Sequence, residues 1–307
     1  MVRLSFVLIL TMRPRPRFRT FLICTLLLPL LSTVPLQATS ADMFARENLV
    51  AWCIVPFDGK KRGPEERAVM LESLGLRRLA YDYRAEHIPT WDREMVALKE
   101  HGIELVAWWF PGTLNDEAKQ ALALFQRHGV KPQLWISGAG SPVKDSKEQA
   151  ARVENEAVRI ETLATAAAPL GLQIGLYNHG GWFGEPENQI AIIERLQKGG
   201  IKNVGIVYNL HHGHDHLDRF AQLLAAMKPY LLALNLNGMT RNADKNGQKI
   251  LVLGEGEEDA RLLKLIRESG WTGPVGILNH TDEDAEVRLK ANLRGLKKFL
   301  AQTGQLD

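Results

Sequence analysis

Short apolar runs and amphipathic stretches alternate along this chain. LESLGLRRLAYD, LKEHGIELVAWW, FQRHGVKPQLWI, AAPLGLQIGLYN, LQKGGIKNVGIVYN and IRESGWTGPVGILN each combine the end of a helix, a glycine and a short buried strand. The glycines, Gly75, Gly102, Gly129, Gly171, Gly200 and Gly270, stand where a helix C-cap takes a positive φ. Between them, apolar positions recur at three and four: Val153, Ala157, Ile160 and Ala164; Ile190, Ile193 and Leu196; Leu262, Leu265 and Ile266. Pro64 and Pro186 suit first helical turns, and Thr90 and Asn115 suit N-caps.

The apolar runs place strands near Leu49–Val55, Arg78–Tyr83, Glu104–Trp109, Gln133–Ile136, Gln173–Tyr177, Val204–Tyr208, Leu231–Leu236 and Val275–Leu278. Strands that alternate with helices must run parallel, because each crossover returns the chain to the same end of the sheet. Eight such units match one closed (β/α)8 barrel, an α/β fold of about 250 residues. An open doubly wound sheet of this length would more often divide into two domains, and no linker or low-complexity stretch divides this chain.

The first forty residues break the pattern. They hold a basic block (Arg13, Arg15, Arg17, Arg19), an apolar run from Phe21 to Leu31 and the small-residue stretch LSTVPLQATSA. That succession predicts a signal peptide over residues 1–41, a barrel over 42–307, and a periplasmic or secreted protein. The apolar run is shorter than the ~20 residues of a spanning helix, so no stable membrane span is expected after cleavage. Residues 1–38 carry five arginines and no acid, so their removal takes the formal charge from +3 to −2. The basic balance belongs to the leader, and a nucleic-acid partner is not expected. Cys53 is then the one remaining cysteine, and its apolar context LVAWCIV suggests a small core residue.

Barrels of this kind carry their chemistry at the C-terminal ends of the strands. Those ends here present Asp82, Tyr83 and Arg84; Trp108 and Trp109; Trp135; Tyr177, Asn178 and His179; Asn209, His211 and His212; Asn235 and Asn237; Asn279 and His280. Asn is an ordinary turn residue, yet four fall at equivalent strand ends. Trp109 and Trp182 offer flat faces for a sugar ring. The loop run HHGHDH supplies four imidazoles of the kind that bind transition metals, although crowded loop histidines are often simply solvated.

LYNHGG, YNLHHGHD, LGEGEED and GPVGILN, set on the eight-unit pattern, resemble the xylose isomerase-like TIM barrels, which include sugar-phosphate isomerases, sugar epimerases and endonuclease IV. The resemblance runs from about Leu49 to Leu300. It implies a carbohydrate site in which Glu, Asp, His and Glu at four strand ends hold a divalent cation. Carried over residue by residue, the Glu of the family's E-N-H turn becomes Tyr177, with Asn178 and His179 kept. The D-x-x-H motif becomes Asn209 to His212, the seventh-strand His aligns with Asn235, and the last Glu falls at Asn279 or beside it. Neutral amides hold a hard cation weakly. A divalent metal is therefore compatible only with a different ligand set, for which His179, His212 and His280 are available, and the cofactor stays open.

The expected function is an exported isomerase- or epimerase-like enzyme that moves a proton on a sugar or keto-sugar, with a small-molecule carbohydrate as partner. His179, His212 and Arg84 are its candidate catalytic residues. Tyr177, Asn178, Trp109, Trp182, Asn209, Asn235, Asn237, Asn279, His280 and Glu255 are the candidates for substrate binding. A catalytically silent sugar-binding barrel is the alternative, since amides and aromatic faces suffice to hold a polyol.

Overall fold

A computed structural model describes residues 43–302, within a unit spanning Ala41–Asp307. The expected signal peptide lies outside the described residues. Eight strands form a closed barrel in sequence order, all neighbours parallel: β1 (Leu49–Trp52), β2 (Arg78–Tyr81), β3 (Glu104–Trp109), β4 (Gln133–Ile136), β5 (Ile174–Tyr177), β6 (Val204–Asn209), β7 (Leu231–Leu236) and β8 (Val275–Leu278). Four registered pairs, from Leu49↔Val275 to Trp52↔Leu278, close β1 on β8.

The helices following the strands are α1 (Pro64–Ser73), α2 (Trp91–Glu100), α3 (Asp116–His128), α4 (Ser146–Ala167), α5 (Pro186–Lys198), α6 (Phe220–Met227), α7 (Asp259–Glu268) and α8 (Ala285–Gln302). All six glycines expected at helix ends have positive φ, from 62° at Gly102 to 87° at Gly200. Asn115 caps α3 by accepting from the Ala118 amide at 2.8 Å. Thr90 does not cap α2: its hydroxyl donates to the His87 carbonyl instead. No helix among the described residues is long and apolar enough to cross a membrane.

Strand alternation produces two cores. The larger lies between sheet and helices, with Leu79, Tyr81, Trp108 and Ile206 facing Leu71, Phe125 and Ile193. The smaller fills the barrel with Val50, Trp52, Ala80, Ala107, Trp135, Tyr177 and Val207. Gly276 makes room in this layer, since a Cβ there would lie 1.9 Å from the Asn235 Oδ1. With eight strands in sequence order, β1 stands across the barrel from β5 and β2 across from β6. That opposition sets the two walls of the mouth.

Candidate active site

β1 and β2 build the first wall. β1 ends where Cys53 takes a φ of 58°, a left-handed conformation that non-glycine side chains seldom adopt. Its thiol lies beside Asp82, just past β2, and burial and that carboxylate both push the thiol pKa upward. Asp82 is 3% exposed. Neither of its oxygens makes a well-formed hydrogen bond, although the Cys53 thiol and the Val55 amide stand close enough to favour the charged form. Burial outweighs them and the nearby Arg84 guanidinium, and Asp82 is pushed up to about 7. Arg84 itself lies at the exposed lip, 5.3 Å over the Phe57 ring, with one N–H on the Tyr83 carbonyl and no ion pair among the described residues.

β5 and β6 build the opposite wall. Tyr177, the last residue of β5, sends its hydroxyl inward, where it accepts from Trp52 Nε1 at 3.1 Å and from the Asn209 amide. His179 follows it two residues on, and its ring centroid lies 4.6 Å from that of His212 beyond β6. The His211 ring lies 4.4 Å from that of His212, tilted to it, and 5.8 Å from His280, whose centroid is 3.8 Å from that of Phe57. Desolvation is the main cause that lowers each of these imidazoles, His212 to about 2 and His211 to about 4; neighbouring rings add to it at His211 and His212, and Arg84 and then the His179 ring at His280. The bank is therefore neutral near pH 7, each ring offering one N–H and one lone pair.

Between the walls is a cavity of about 90 Å³. Six of the residues singled out in the sequence line it: Arg84, Trp109, Tyr177, His179, His212 and His280. Trp52, Cys53, Phe57 and Asp82 complete the lining. Asp82 stood among the strand-end polar residues, but its burial without a partner is not written in the sequence. Cys53 is the small core residue expected, and it also forms part of the cavity wall.

The other candidates lie elsewhere. Asn178 faces out of the barrel and staples β5 to β6, its Oδ1 accepting from the Asn209 amide at 2.7 Å and its Nδ2 donating to the Asn209 carbonyl. Asn209 supports Tyr177 and accepts from the His211 amide. Asn237 binds the Gly238 and Lys249 carbonyls. Asn235 and Asn279 are fully buried, with side-chain amides that have no hydrogen-bond partner among the described residues. Trp182 is buried away from the cavity, donating to Gln149 at 2.7 Å beneath Arg152. Glu255 is exposed in the turn before α7.

The run HHGHDH disperses. His212 lines the cavity, His214 reaches the Lys249 carbonyl at 3.0 Å, and buried His216 bonds Tyr208 at 2.9 Å. The loop carboxylate Glu185 is held by Arg219 and His216, outside the cavity. No three His, Cys, Asp or Glu side chains among the described residues converge as metal ligands. The Tyr177 oxygen, at the place of the family's first glutamate, already accepts two hydrogen bonds. This donor set does not fit the family's divalent cation.

The sequence profile described as "Xylose isomerase-like TIM barrel" matches residues 48–299. No curated protein matches the sequence. Among solved structures, 3-keto-D-glucoside 4-epimerase from E. coli superposes with a TM-score of 0.60 at 15% identity, covering 83% of this chain and 99% of that one. A probable 3-DHS dehydratase from Bacillus anthracis gives 0.62 at 14%, over 81% and 98%. An L-ribulose 3-epimerase gives 0.60 at 13%, over 84% and 95%. With its profile match spanning every strand of the closed barrel, the chain belongs to the xylose isomerase-like TIM barrel family.

Proposed function

We propose that the chain is a sugar isomerase/epimerase-like enzyme, exported to the periplasm or beyond, that moves a proton at a carbon beside the carbonyl of a sugar or keto-sugar. One observation carries the reading: a buried, unpaired carboxyl group faces a bank of neutral imidazoles across a cavity walled by Trp52, Trp109 and Tyr177. A carboxyl that titrates near neutrality is a working acid/base, and a purely binding barrel gains nothing from an unpaired buried one. The aromatic faces suit the C–H faces of a sugar, and the imidazole edges and Arg84 suit its hydroxyl and carbonyl oxygens. At about 90 Å³ the cavity is far below the ~300–1,000 Å³ of large ligand pockets, which favours a monosaccharide over an oligosaccharide. The sugar epimerases among its structural neighbours support the same substrate class.

The test is a panel of aldoses, ketoses and keto-glycosides incubated with the purified protein and followed by NMR. Conversion of at least one sugar to an isomer or epimer is expected. If none is converted although a sugar binds, the enzyme reading fails and the barrel is a binding protein.

A further inference from the structure

Resting on that reading, we propose that the loop between β7 and α7 is a flap over a second, polar half of the sugar site, in which Asn235, Asn237 and His211 take the hydroxyl-bearing end of an open-chain monosaccharide. Alternation along β7 turns Ala233, Asn235 and Asn237 toward the barrel interior, and Asn235 pairs in register with Asn209 of β6. Asn235 is fully buried and Asn237 is 1% exposed. Both polar atoms of the Asn235 amide, the Asn237 Oδ1 and the His211 Nδ1 are sealed from solvent and have no hydrogen-bond partner among the described residues. A fold rarely leaves a buried donor or acceptor unmet, and these four sit together on two neighbouring strand ends. A ligand that brings hydroxyls to them accounts for all four. Donors and acceptors are mixed among them, which suits a neutral polyol, whose every hydroxyl both donates and accepts.

These groups adjoin the open cavity. The His211 ring lies 4.4 Å from His212 and 5.8 Å from His280, both on the cavity wall. Gly276, paired with Asn235 on β8, carries no side chain, so the Asn235 amide leans over bare backbone. At about 90 Å³ the open cavity is less than a third of the ~300 Å³ at which ordinary ligand pockets begin, and the covered groups supply the room and hydrogen bonds it lacks. What covers them is lightly held. The flap leaves and rejoins the barrel at Gly238 and Leu251, which exchange two backbone hydrogen bonds of 3.0 and 3.3 Å. Between them, every residue from Arg241 to Lys249 except Ala243 is exposed, and the left-handed Asn242 (φ 55°) and Gly247 (φ 65°) bracket a single helical turn. On its inner side the Lys249 carbonyl accepts from the Asn237 amide at 3.1 Å and from His214 at 3.0 Å, and the Ile250 carbonyl accepts from Arg288. Ile250 is the half-buried apolar side chain that the flap packs against the barrel interior. A segment with so little apolar contact opens at a small fraction of the global unfolding free energy.

The test measures binding of D-glucose, D-fructose and sorbitol to the wild-type protein and to Asn235→Leu by calorimetry, with a urea midpoint for each protein. Expected is a Kd roughly 10–100-fold higher in Asn235→Leu, from the loss of one or two hydrogen bonds to the ligand. The urea midpoint of the variant should equal or exceed that of wild type, because Leu has a similar shape and removes an unmet amide. Equal affinity in the two proteins overturns the proposal. So does a lower midpoint in the variant, which marks Asn235 as a structural residue. Hydrogen exchange of the wild-type protein decides independently should Asn235→Leu not fold. The Gly238 and Leu251 amides should exchange roughly tenfold or more faster than those of Val207 and Leu234, and slow when sugar is bound. Flap amides as protected as the strands, or unmoved by bound sugar, overturn the proposal. If none of the three ligands binds the wild-type protein, the sugar reading itself fails, whereas a ligand held equally by wild type and variant sinks only the covered subsite.

Discussion

Replacing Asp82 with Asn is expected to stabilise this protein at alkaline pH while removing its acid/base group. The carboxyl is 3% exposed and its oxygens have no well-formed partner among the described residues, so the nearby Arg84 guanidinium, the Cys53 thiol and the backbone amides offset only part of the cost of burying its charge. It titrates near 4 in an unfolded chain and at about 7 in the folded one. Below pH ~4 both states hold the proton, and wild type and variant should be nearly equal in stability. As pH rises from ~4 to ~7 the unfolded wild-type chain releases its proton while the native state keeps it, so wild-type stability falls with pH through that window. At ~1.4 kcal/mol per pH unit over about three units, the deficit above pH 7 is on the order of 4 kcal/mol. Asn has nearly the same shape and no charge, so the variant escapes that loss. Urea denaturation at pH 4 and pH 8 measures it through the midpoint at constant slope. An Asp82→Asn protein that is no more stable than wild type at pH 8, or whose difference is the same at pH 4, would refute the reasoning that this carboxyl is buried unpaired. The expected pattern is a stability–activity trade-off at one residue.

Three further outcomes follow from the same geometry. His212 is lowered to about 2, so its native form is neutral while the unfolded chain takes a proton near 6.5; stability is lost as pH falls below ~6.5, by about 2 kcal/mol at pH 5. His212→Asn should therefore lose about that much less than wild type between pH 8 and pH 5 in urea titrations, and equal losses would contradict the assigned neutrality. Gly276→Ala should cost about 1–3 kcal/mol by driving a methyl into the Asn235 amide, and adding Asn235→Ala should recover most of it, which a double-mutant cycle reads directly. Glu94→Gln, on α2 opposite Arg67 of α1, should cost about 3–5 kcal/mol by leaving the buried Arg67 guanidinium without its carboxylate partner, and a thermal shift of a degree or less would rule that out.

Much of the fold was legible because its signals are local and repeated. Each glycine after an amphipathic stretch closes a helix, and seven of the eight apolar runs start at the first residue of the strand they predict, while the eighth starts one residue early, at Gln173. β1 and β2 stop early, at Trp52 and Tyr81, because Cys53 turns left-handed and Asp82 leaves the ladder toward the cavity. The site was legible only where strand parity carries it. Tyr177 and His179 point inward two residues apart, whereas Asn178 between them faces out and staples neighbouring strands. Trp182 and Glu255 sit on loops whose path no periodicity sets, and both fall outside the cavity. The four equivalent asparagines marked the right strand ends, yet the side chains on the cavity there are Tyr177, His179, His212 and His280. Asp82 was visible as a residue but not as a chemical group, because its titration depends on burial among partners distant in sequence.

The central claim is that this member of the family works through Asp82 and neutral imidazoles instead of a cation held by carboxylates. Its most direct test is the sugar turnover rate of untagged protein before and after exhaustive chelation, with Mn²⁺, Mg²⁺ or Zn²⁺ then restored. The account predicts a rate unchanged by chelation or by any restored cation, rising with pH through a midpoint near 7. A rate abolished by chelation and recovered with one equivalent of a divalent cation would contradict it.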